Sequence, residues 1–393
     1  MQMRAIELFA GAGGLGMGVS IAGFQPVQVV ERDRWCCDTL RENRSRGVAS
    51  VAHWPEPLES DVCDISFREY QDKIDLVSGG PPCQPFSLGG KHGAYNDTRD
   101  MWSEAVRVVR ETRPRAFIFE NVKGLARESF ASYLAYIVHQ LSYPELTRRD
   151  GERWEEHLGS LERHHTSRRH ETGLNYRVVH RVLNAANYGV PQRRERIVFV
   201  GFRSDLEIEW SFPDETHAQE ALLWDQTRGD YWDRHRMCRD SRLMGPRLSE
   251  RAGKLRGPPA SMPWRTVRDA ISDLPDPESV LRIATTTLNH RFQGGARAYP
   301  GHTGSPLDEP AKTLKAGVHG VPGGENMLAR HDGSLRYFTV RESARLQTFP
   351  DDFFFHGSWT EAMRQLGNAV PVELATVIAR DVRARLDASS HLR

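Results

Sequence analysis

The sequence has no apolar run of membrane-spanning length, and its first residues lack the basic-then-apolar pattern of a secretory signal. Its five cysteines (36, 37, 63, 83 and 238) are odd in number and show no Cys-x-x-Cys spacing, so neither a disulfide framework nor a zinc site is expected. These absences set the expectation of a reducing, cytoplasmic setting, with no membrane and no metal. A net charge of only +1 argues neither for nor against nucleic acid. No internal repeat is evident, and the glycine-rich loop near the N-terminus departs from a clean Gly-x-Gly-x-x-Gly. What remains is a chain of 393 residues, 39% hydrophobic and 27% charged, long enough for one large domain and a smaller one.

The densest chemical signal is Gly79 to Ser87, reading GGPPCQPFS. The apolar stretch from Ile74 to Val77 predicts a strand running into it. Pro81 and Pro82 fix φ and remove two amide donors, while Gly79 and Gly80 permit a sharp turn and a close approach. Cys83 is therefore expected on a stiff loop at a strand's carboxyl end, where open α/β sheets bind ligands. A proline-rich turn with an incidental cysteine is the bland alternative.

In chain order, residues 4–9 read as a buried strand, followed by AGAGGLGMG and a helical pattern through Ala22. Strand, glycine loop and helix open a nucleotide-binding βα unit, in which Gly11, Gly13 and Gly14 let backbone amides approach a ligand. A second strand, Val27 to Val30, ends in Glu31, which is placed to accept hydrogen bonds from ribose hydroxyls. Asp61, in SDVCDI, sits where an adenine amino group could be read. A helical stretch then stops before Pro114, and a strand from Ala116 to Phe119 ends in Glu120, Asn121 and Val122. Phe9, Glu31, Asp61, Cys83 and Glu120 thus fall at or just past the carboxyl ends of successive strands. A parallel sheet would bring all five to one rim.

Residues 129–141 predict another helix, and the polar stretch 143–175 reads as a solvated insertion with His157, His164, His165 and His170 at its surface. Cys36, Cys37 and Cys63 read as small, buried or partly buried residues. Strands resume at Tyr176 to Leu183 and Arg196 to Phe202. Residues 203–335 are rich in Gly, Pro and Arg, with exposed-looking tryptophans, and read as a separate loop-rich lobe. Between Arg228 and Arg268 there are eleven Lys/Arg against four Asp/Glu. A solvated basic face and a phosphate-contacting surface both fit that excess. Thr339 with Glu342, and Ser358 with Glu361, predict capping boxes. A final helix opening at Pro371 spaces Leu374, Ile378, Val382 and Leu386 four apart, and should pack on the sheet.

FAGAGG, the acidic end of the second strand, DVCDI, GGPPCQPFS, ENV, QRRERIVFVGF, RESARLQTFPDDF and QLGNAVP stand in this order along nearly the whole chain. Together they resemble the ordered signature blocks of the DNA (cytosine-5) methyltransferases of prokaryotic restriction-modification type. The departures are Glu7, where the family usually has Asp, and a longer insertion after the sixth block. The resemblance implies an α/β, Rossmann-like S-adenosylmethionine-dependent methyltransferase fold, mostly parallel, with a smaller target recognition domain. Residues 1–202 would be catalytic and cofactor-binding, 203–335 would recognise the target, and 336–393 would return to the catalytic domain.

The same resemblance implies roles. Cys83 would be the nucleophile and Glu120 the group on N3 of the base, with Arg194 and Arg196 holding the base and its phosphate. Pro82, Gln84, Ser87 and Asn121 would face the substrate. Phe9, Gly11, Gly13, Gly14, Glu31, Asp61 and Asn368 would bind S-adenosylmethionine, and S-adenosylhomocysteine would be released. Double-stranded DNA is the implied partner, bound by a monomer, with a cognate restriction endonuclease acting separately. Three rival readings are a tRNA methyltransferase of the same fold, a non-catalytic DNA-binding regulator and a Rossmann oxidoreductase. The last gives the Pro-Pro-Cys loop no role.

Overall fold

Short, largely apolar runs form the central strands of one seven-stranded sheet, whose two outermost strands are more exposed and polar. The seven are β1 (Met3–Leu8), β2 (Phe24–Glu31), β3 (Leu58–Glu59), β4 (Leu76–Gly79), β5 (Ala116–Val122), β6 (Tyr176–Asn184) and β7 (Glu195–Arg203). Their order in the sheet is β3-β2-β1-β4-β5-β7-β6. Pairing is parallel from β3 through β5, and β7 runs antiparallel to β5. The order reverses between β1 and β4, the crevice where doubly wound sheets take ligands. The computed structural model describes residues 2–82, 101–167, 173–242, 244–279, 287–299, 303–316 and 324–390.

Contacts divide the chain into two compact units. Unit one holds Met1–Leu183, Glu195–Pro213 and Ala375–Arg393, and unit two holds Asn184–Arg194 and Asp214–Leu374. In unit one the helices are α1 (Gly14–Ile21), α2 (Arg34–Ser45), α3 (Trp102–Thr112), α4 (Ala131–Ser142) and α5 (Trp154–Thr166). Trp102, Phe117, Phe119 and Phe199 lie in one buried cluster joining α3 to the sheet, with Trp102 edge-on to both Phe119 and Phe199.

The stretch expected to be a solvated insertion contains α5, and α5 is packed. Trp154, His157 and Leu161 are buried on it. His157, expected at the surface, is 3% exposed and bonds the Tyr136 hydroxyl at 2.9 Å and the Leu146 carbonyl at 3.0 Å. Three buried residues over two turns are enough for one apolar stripe, but too few to show as periodicity in a sequence rich in Arg and Glu. His170 lies outside the described residues. Cys36 and Cys37 are buried, whereas Cys63 is exposed.

Unit two carries α6 (Gln219–Arg228), α7 (Tyr231–Arg234), α8 (Pro246–Gly253), α9 (Val267–Ile271), α10 (Val340–Leu346) and α11 (Trp359–Asn368). Its short strands are β8 (His217–Ala218), β9 (Met262–Pro263), β10 (Ser305–Pro306), β11 (Met327–Ala329) and β12 (Leu335–Tyr337). Unit two is wider than the 203–335 lobe expected from composition, because hydrogen bonds draw in both flanks. Gln192 accepts from the Leu314 amide at 2.9 Å and donates to the Leu346 carbonyl at 3.2 Å.

Two tryptophans that composition suggested were exposed are core residues, each with its indole N–H satisfied. Trp232 donates to the Gln226 carbonyl and Trp264 to the Asn187 side chain. Thr339 and Glu342 form the expected reciprocal cap of α10, and Glu342 also takes the buried Arg336 at 2.6 Å. Ser358 caps α11 alone, because Glu361 turns instead to Arg364.

The last helix, α12 (Val372–Ser390), belongs to unit one from Ala375 onward. Its Ile378, Val382 and Leu386 are buried. A Cβ on Gly18 of α1 would come within 2.4 Å of the Ala375 Cβ, so only glycine lets the two helices touch there.

Candidate active site

The carboxyl edge of the sheet in unit one is built from backbone conformations that few residues adopt. Phe9, immediately after β1, has φ +51°, a strained value for an aromatic residue. Gly11 follows at φ +54° and Gly13 at φ +87°, where it caps α1. A Cβ on Gly13 would press on Leu40 and Trp54, so the loop is seated directly on buried side chains.

Glu31, the last residue of β2, holds this loop. One carboxylate oxygen accepts the Gly11 N–H at 2.7 Å and the other accepts the Asp33 N–H at 2.7 Å. Burial raises its pKa above the ordinary carboxylate value, against the lowering effect of those backbone donors. Asp61, just past β3, accepts from the Cys63 amide at 3.1 Å and pairs with Arg32 at 2.9 Å. The Cys63 amide, then partial burial opposing it, leave the Asp61 pKa lowered. Phe9, Gly11, Glu31 and Asp61 are thus displayed by β1, β2 and β3 at one edge.

Beneath the loop lies a group that sequence reasoning noted only as a departure from family pattern. Glu7 is 2% exposed, the penultimate residue of β1, and bonds the Ser78 hydroxyl on β4 and the backbone N–H of Gly16. Burial pushes its pKa up to about 8, so it carries its proton at neutral pH. An acidic residue inside an otherwise apolar strand was the available signal.

On the other side of the crevice, β4 ends in Gly79 and runs into Gly80, Pro81 and Pro82. A Cβ on Gly79 would meet the Leu8 carbonyl at 2.6 Å, so β1 and β4 approach as closely as glycine allows. Glu120 of β5 is 8% exposed and pairs with Arg196 of β7 at 2.7 Å. The antiparallel register sets Arg196 opposite Val122 and Glu120 opposite Val198. Burial lowers the Arg196 pKa, and Glu120 offsets part of that shift.

Asn121, 4% exposed, donates its side-chain amide to the Pro81 carbonyl at 2.9 Å. The Pro82 carbonyl lies 3.4 Å from the Met101 amide. Cys83, Gln84 and Ser87 lie outside the described residues.

Two expected site residues belong to unit two. Arg194 is fully buried, and its guanidinium donates to the Leu314 carbonyl at 3.0 Å and the Gly367 carbonyl at 2.7 Å. Asn368 is exposed at the end of α11. Among the described residues no group of three His, Cys, Asp or Glu is placed to hold a metal. No helix among them is long and apolar enough to cross a membrane.

The family described as C-5 cytosine-specific DNA methylase matches residues 3–143 and 167–384. The type II methyltransferase M.PspPI of Psychrobacter sp. (strain TA137) is 32% identical over 392 residues, spanning 98% of this chain and 80% of the relative. M.Eco47II of Escherichia coli, also a type II methyltransferase, is 31% identical over 97% of this chain and 79% of its own length. Among solved structures, the S. pombe Dnmt2 methyltransferase aligns over 98% of this chain and 99% of its own, with a TM-score of 0.55 at 18% identity. That last likeness concerns the fold.

Proposed function

The chain belongs to the C-5 cytosine-specific DNA methylase family and is a DNA (cytosine-5) methyltransferase, and we propose that it works on a cytosine flipped out of a specific duplex sequence, through a covalent bond from Cys83 to carbon 6. The observation that carries this reading is the meeting of Glu120, Arg196 and Asn121 at the mouth of the Gly80-Pro81 turn. A paired acid there stands next to the residues that lead into Cys83.

S-adenosylmethionine, when bound, supplies an electrophilic methyl group. The edge bearing Phe9, Gly11, Glu31 and Asp61 would hold its adenosine, since the Glu31 carboxylate keeps accepting capacity beyond the backbone amides of Gly11, Asp33 and Arg32. Gly13 and Gly14 open α1, where backbone N–H groups suit a carboxylate. Cys83, as thiolate, adds to carbon 6 while Glu120 shares a proton with N3, and the electron pair gained by the ring makes carbon 5 nucleophilic. After carbon 5 is methylated, its proton leaves to a base and the sulfur–carbon bond breaks, restoring aromaticity.

Burial pushes the Cys37 thiol up to about 12, and the partial desolvation of the largely exposed Cys63 together with the neighbouring Asp61 and Glu104 carboxylates pushes its thiol up to about 11, so neither offers a thiolate near neutral pH. Arg196 holds Glu120 toward the base. Arg194, whose guanidinium donates to two carbonyls, braces the loop Asn184–Arg194 within unit two.

Unit two supplies the recognition surface. Five of its cations between Arg228 and Arg268 have acidic partners: Arg234, Arg242, Arg251, Lys254 and Arg268. Arg236, Arg239, Arg247, Arg256 and Arg265 are exposed, with no ion pair among the described residues. Uncommitted arginines of this kind suit DNA phosphates, which position the duplex while a few side chains read base edges.

The test is a trapping assay with labelled S-adenosylmethionine and duplex DNA carrying 5-fluorocytosine at its target, found by bisulfite sequencing of an expressing host. A denaturation-resistant adduct is expected from the wild type and not from Cys83→Ala. An adduct from Cys83→Ala, or methyl transfer to tRNA in place of duplex DNA, overturns the reading.

A further inference from the structure

Unit two contains a cleft of about 590 Å³ that has no part in the chemistry above. Its walls include Arg297, Tyr299, Tyr337, Ser358, Trp359 and Thr360. The volume lies within the range of small-molecule sites.

The aromatic wall is rigid. Trp359 donates its indole N–H to the Phe338 carbonyl at 3.2 Å and packs on Tyr337, with ring centroids 5.0 Å apart. Tyr337 is buried, and its hydroxyl bonds that of Tyr299. Trp359 and Tyr299 are only partly buried, so ring surface remains open to the cleft.

The polar groups stand beside this wall. Arg297 is exposed, with no acidic partner among the described residues. Ser358 caps α11, so the cleft borders the amino end of a ten-residue helix, which favours negative charge. Gly294 and Gly295 also line the cleft, and a Cβ on Gly295 would touch nothing within 4 Å, so the space beside it is open.

We propose that this cleft binds a single unstacked nucleotide, with its base laid on the Trp359–Tyr299 wall and its phosphate held by Arg297 at the start of α11. Stacking is indifferent to which base is present, and one guanidinium matches one phosphate. The chemistry of the cleft stands apart from the catalytic reading. Only the choice of a DNA strand as one source of the nucleotide rests on that reading.

The experiment uses the full chain with excess S-adenosylhomocysteine present, so that binding at the cofactor edge is suppressed. Calorimetry with dAMP and dGMP is expected to show millimolar binding, and deoxyribose 5-phosphate, which lacks a base, should bind at least fivefold more weakly. Arg297→Glu and Trp359→Leu should each weaken nucleotide binding at least fivefold, with circular dichroism used to confirm the fold. Arg297→Glu, at an exposed position, keeps the test decisive if Trp359→Leu does not fold.

A second arm separates the two sources. A duplex with one bulged nucleotide that binds more tightly than its fully paired counterpart, by an amount lost in Arg297→Glu, assigns the cleft to a DNA strand. Equal binding of the two duplexes, with dAMP still bound, assigns it to a free nucleotide. Absence of binding at 10 mM nucleotide, or binding unchanged in Arg297→Glu, overturns the proposal, whereas methyl transfer by the wild type is scored separately.

Discussion

Asn121 is tied to Pro81: its side-chain amide donates to that carbonyl at 2.9 Å, joining the end of β5 to the turn that leaves β4. The bond is buried, so removing its donor leaves an unpaired carbonyl, which costs about 1–3 kcal/mol. Asn121→Ala should therefore lower the denaturation midpoint and slow methyl transfer, because the turn leading to Cys83 loses its anchor. Cofactor affinity should change little, since the Glu31 edge is untouched. Comparing single-turnover rates with calorimetric S-adenosylhomocysteine affinity separates the two effects, and equal losses in both would count against this view.

Glu31 has both carboxylate oxygens on backbone amides, so it shapes the loop it is proposed to share with the cofactor. Glu31→Ala should weaken S-adenosylmethionine binding by about 1–3 kcal/mol. Glu31→Gln should also weaken it, because one oxygen becomes an NH2 group that cannot accept from Gly11 or Asp33. Unchanged calorimetric affinity in both variants would remove Glu31 from the site.

Glu7 makes stability depend on pH in a predictable direction. Its pKa rises from an ordinary 4.5 to about 8 on folding, through burial. The folded state therefore holds a proton that the unfolded state gives up. The stabilisation is full below about pH 4.5, falls as pH rises towards about 8, and is lost beyond that, with a total of roughly 5 kcal/mol. Glu7→Gln is neutral throughout and should flatten this part of the profile. Thermal midpoints at pH 5, 7 and 8.5 should converge in the variant relative to the wild type. Parallel profiles would show that Glu7 is ionised in the folded protein.

The exposed arginines of unit two should behave differently from the paired ones. Arg247→Ala and Arg256→Ala are each expected to weaken binding to all DNA sequences alike and to flatten the salt dependence by about one unit. Arg234 is engaged by Asp225 and Asp230, and Arg234→Ala should leave that slope nearly unchanged. Fluorescence anisotropy from 50 to 200 mM salt reads both effects. A slope that follows Arg234 and not Arg247 or Arg256 would move the phosphate-contacting surface elsewhere.

Local sequence determined what is local or repeats with a short period. The strands β1, β2 and β5, which carry or lead into Phe9, Glu31 and Glu120, were legible because buried parallel strands are short apolar runs, although β5 continues past Phe119 to Val122 and the strand before Asp61 is only two exposed residues. The cap of α10 was legible because Thr339 and Glu342 lie within one turn.

Tertiary structure alone decided the contacts between distant residues. The Glu120–Arg196 pair depends on β7 running antiparallel to β5, a register that no spacing in the chain encodes. The burial of Arg194 and its bonds to two backbone carbonyls depend on Leu314 and Gly367, more than a hundred residues away. The burial of His157 depends on Tyr136 and Leu146 folding over it, and the protonation of Glu7 depends on the depth of the sheet around it. Hydrogen bonding and desolvation act on what is near in space, so these features exist only once the chain has closed on itself.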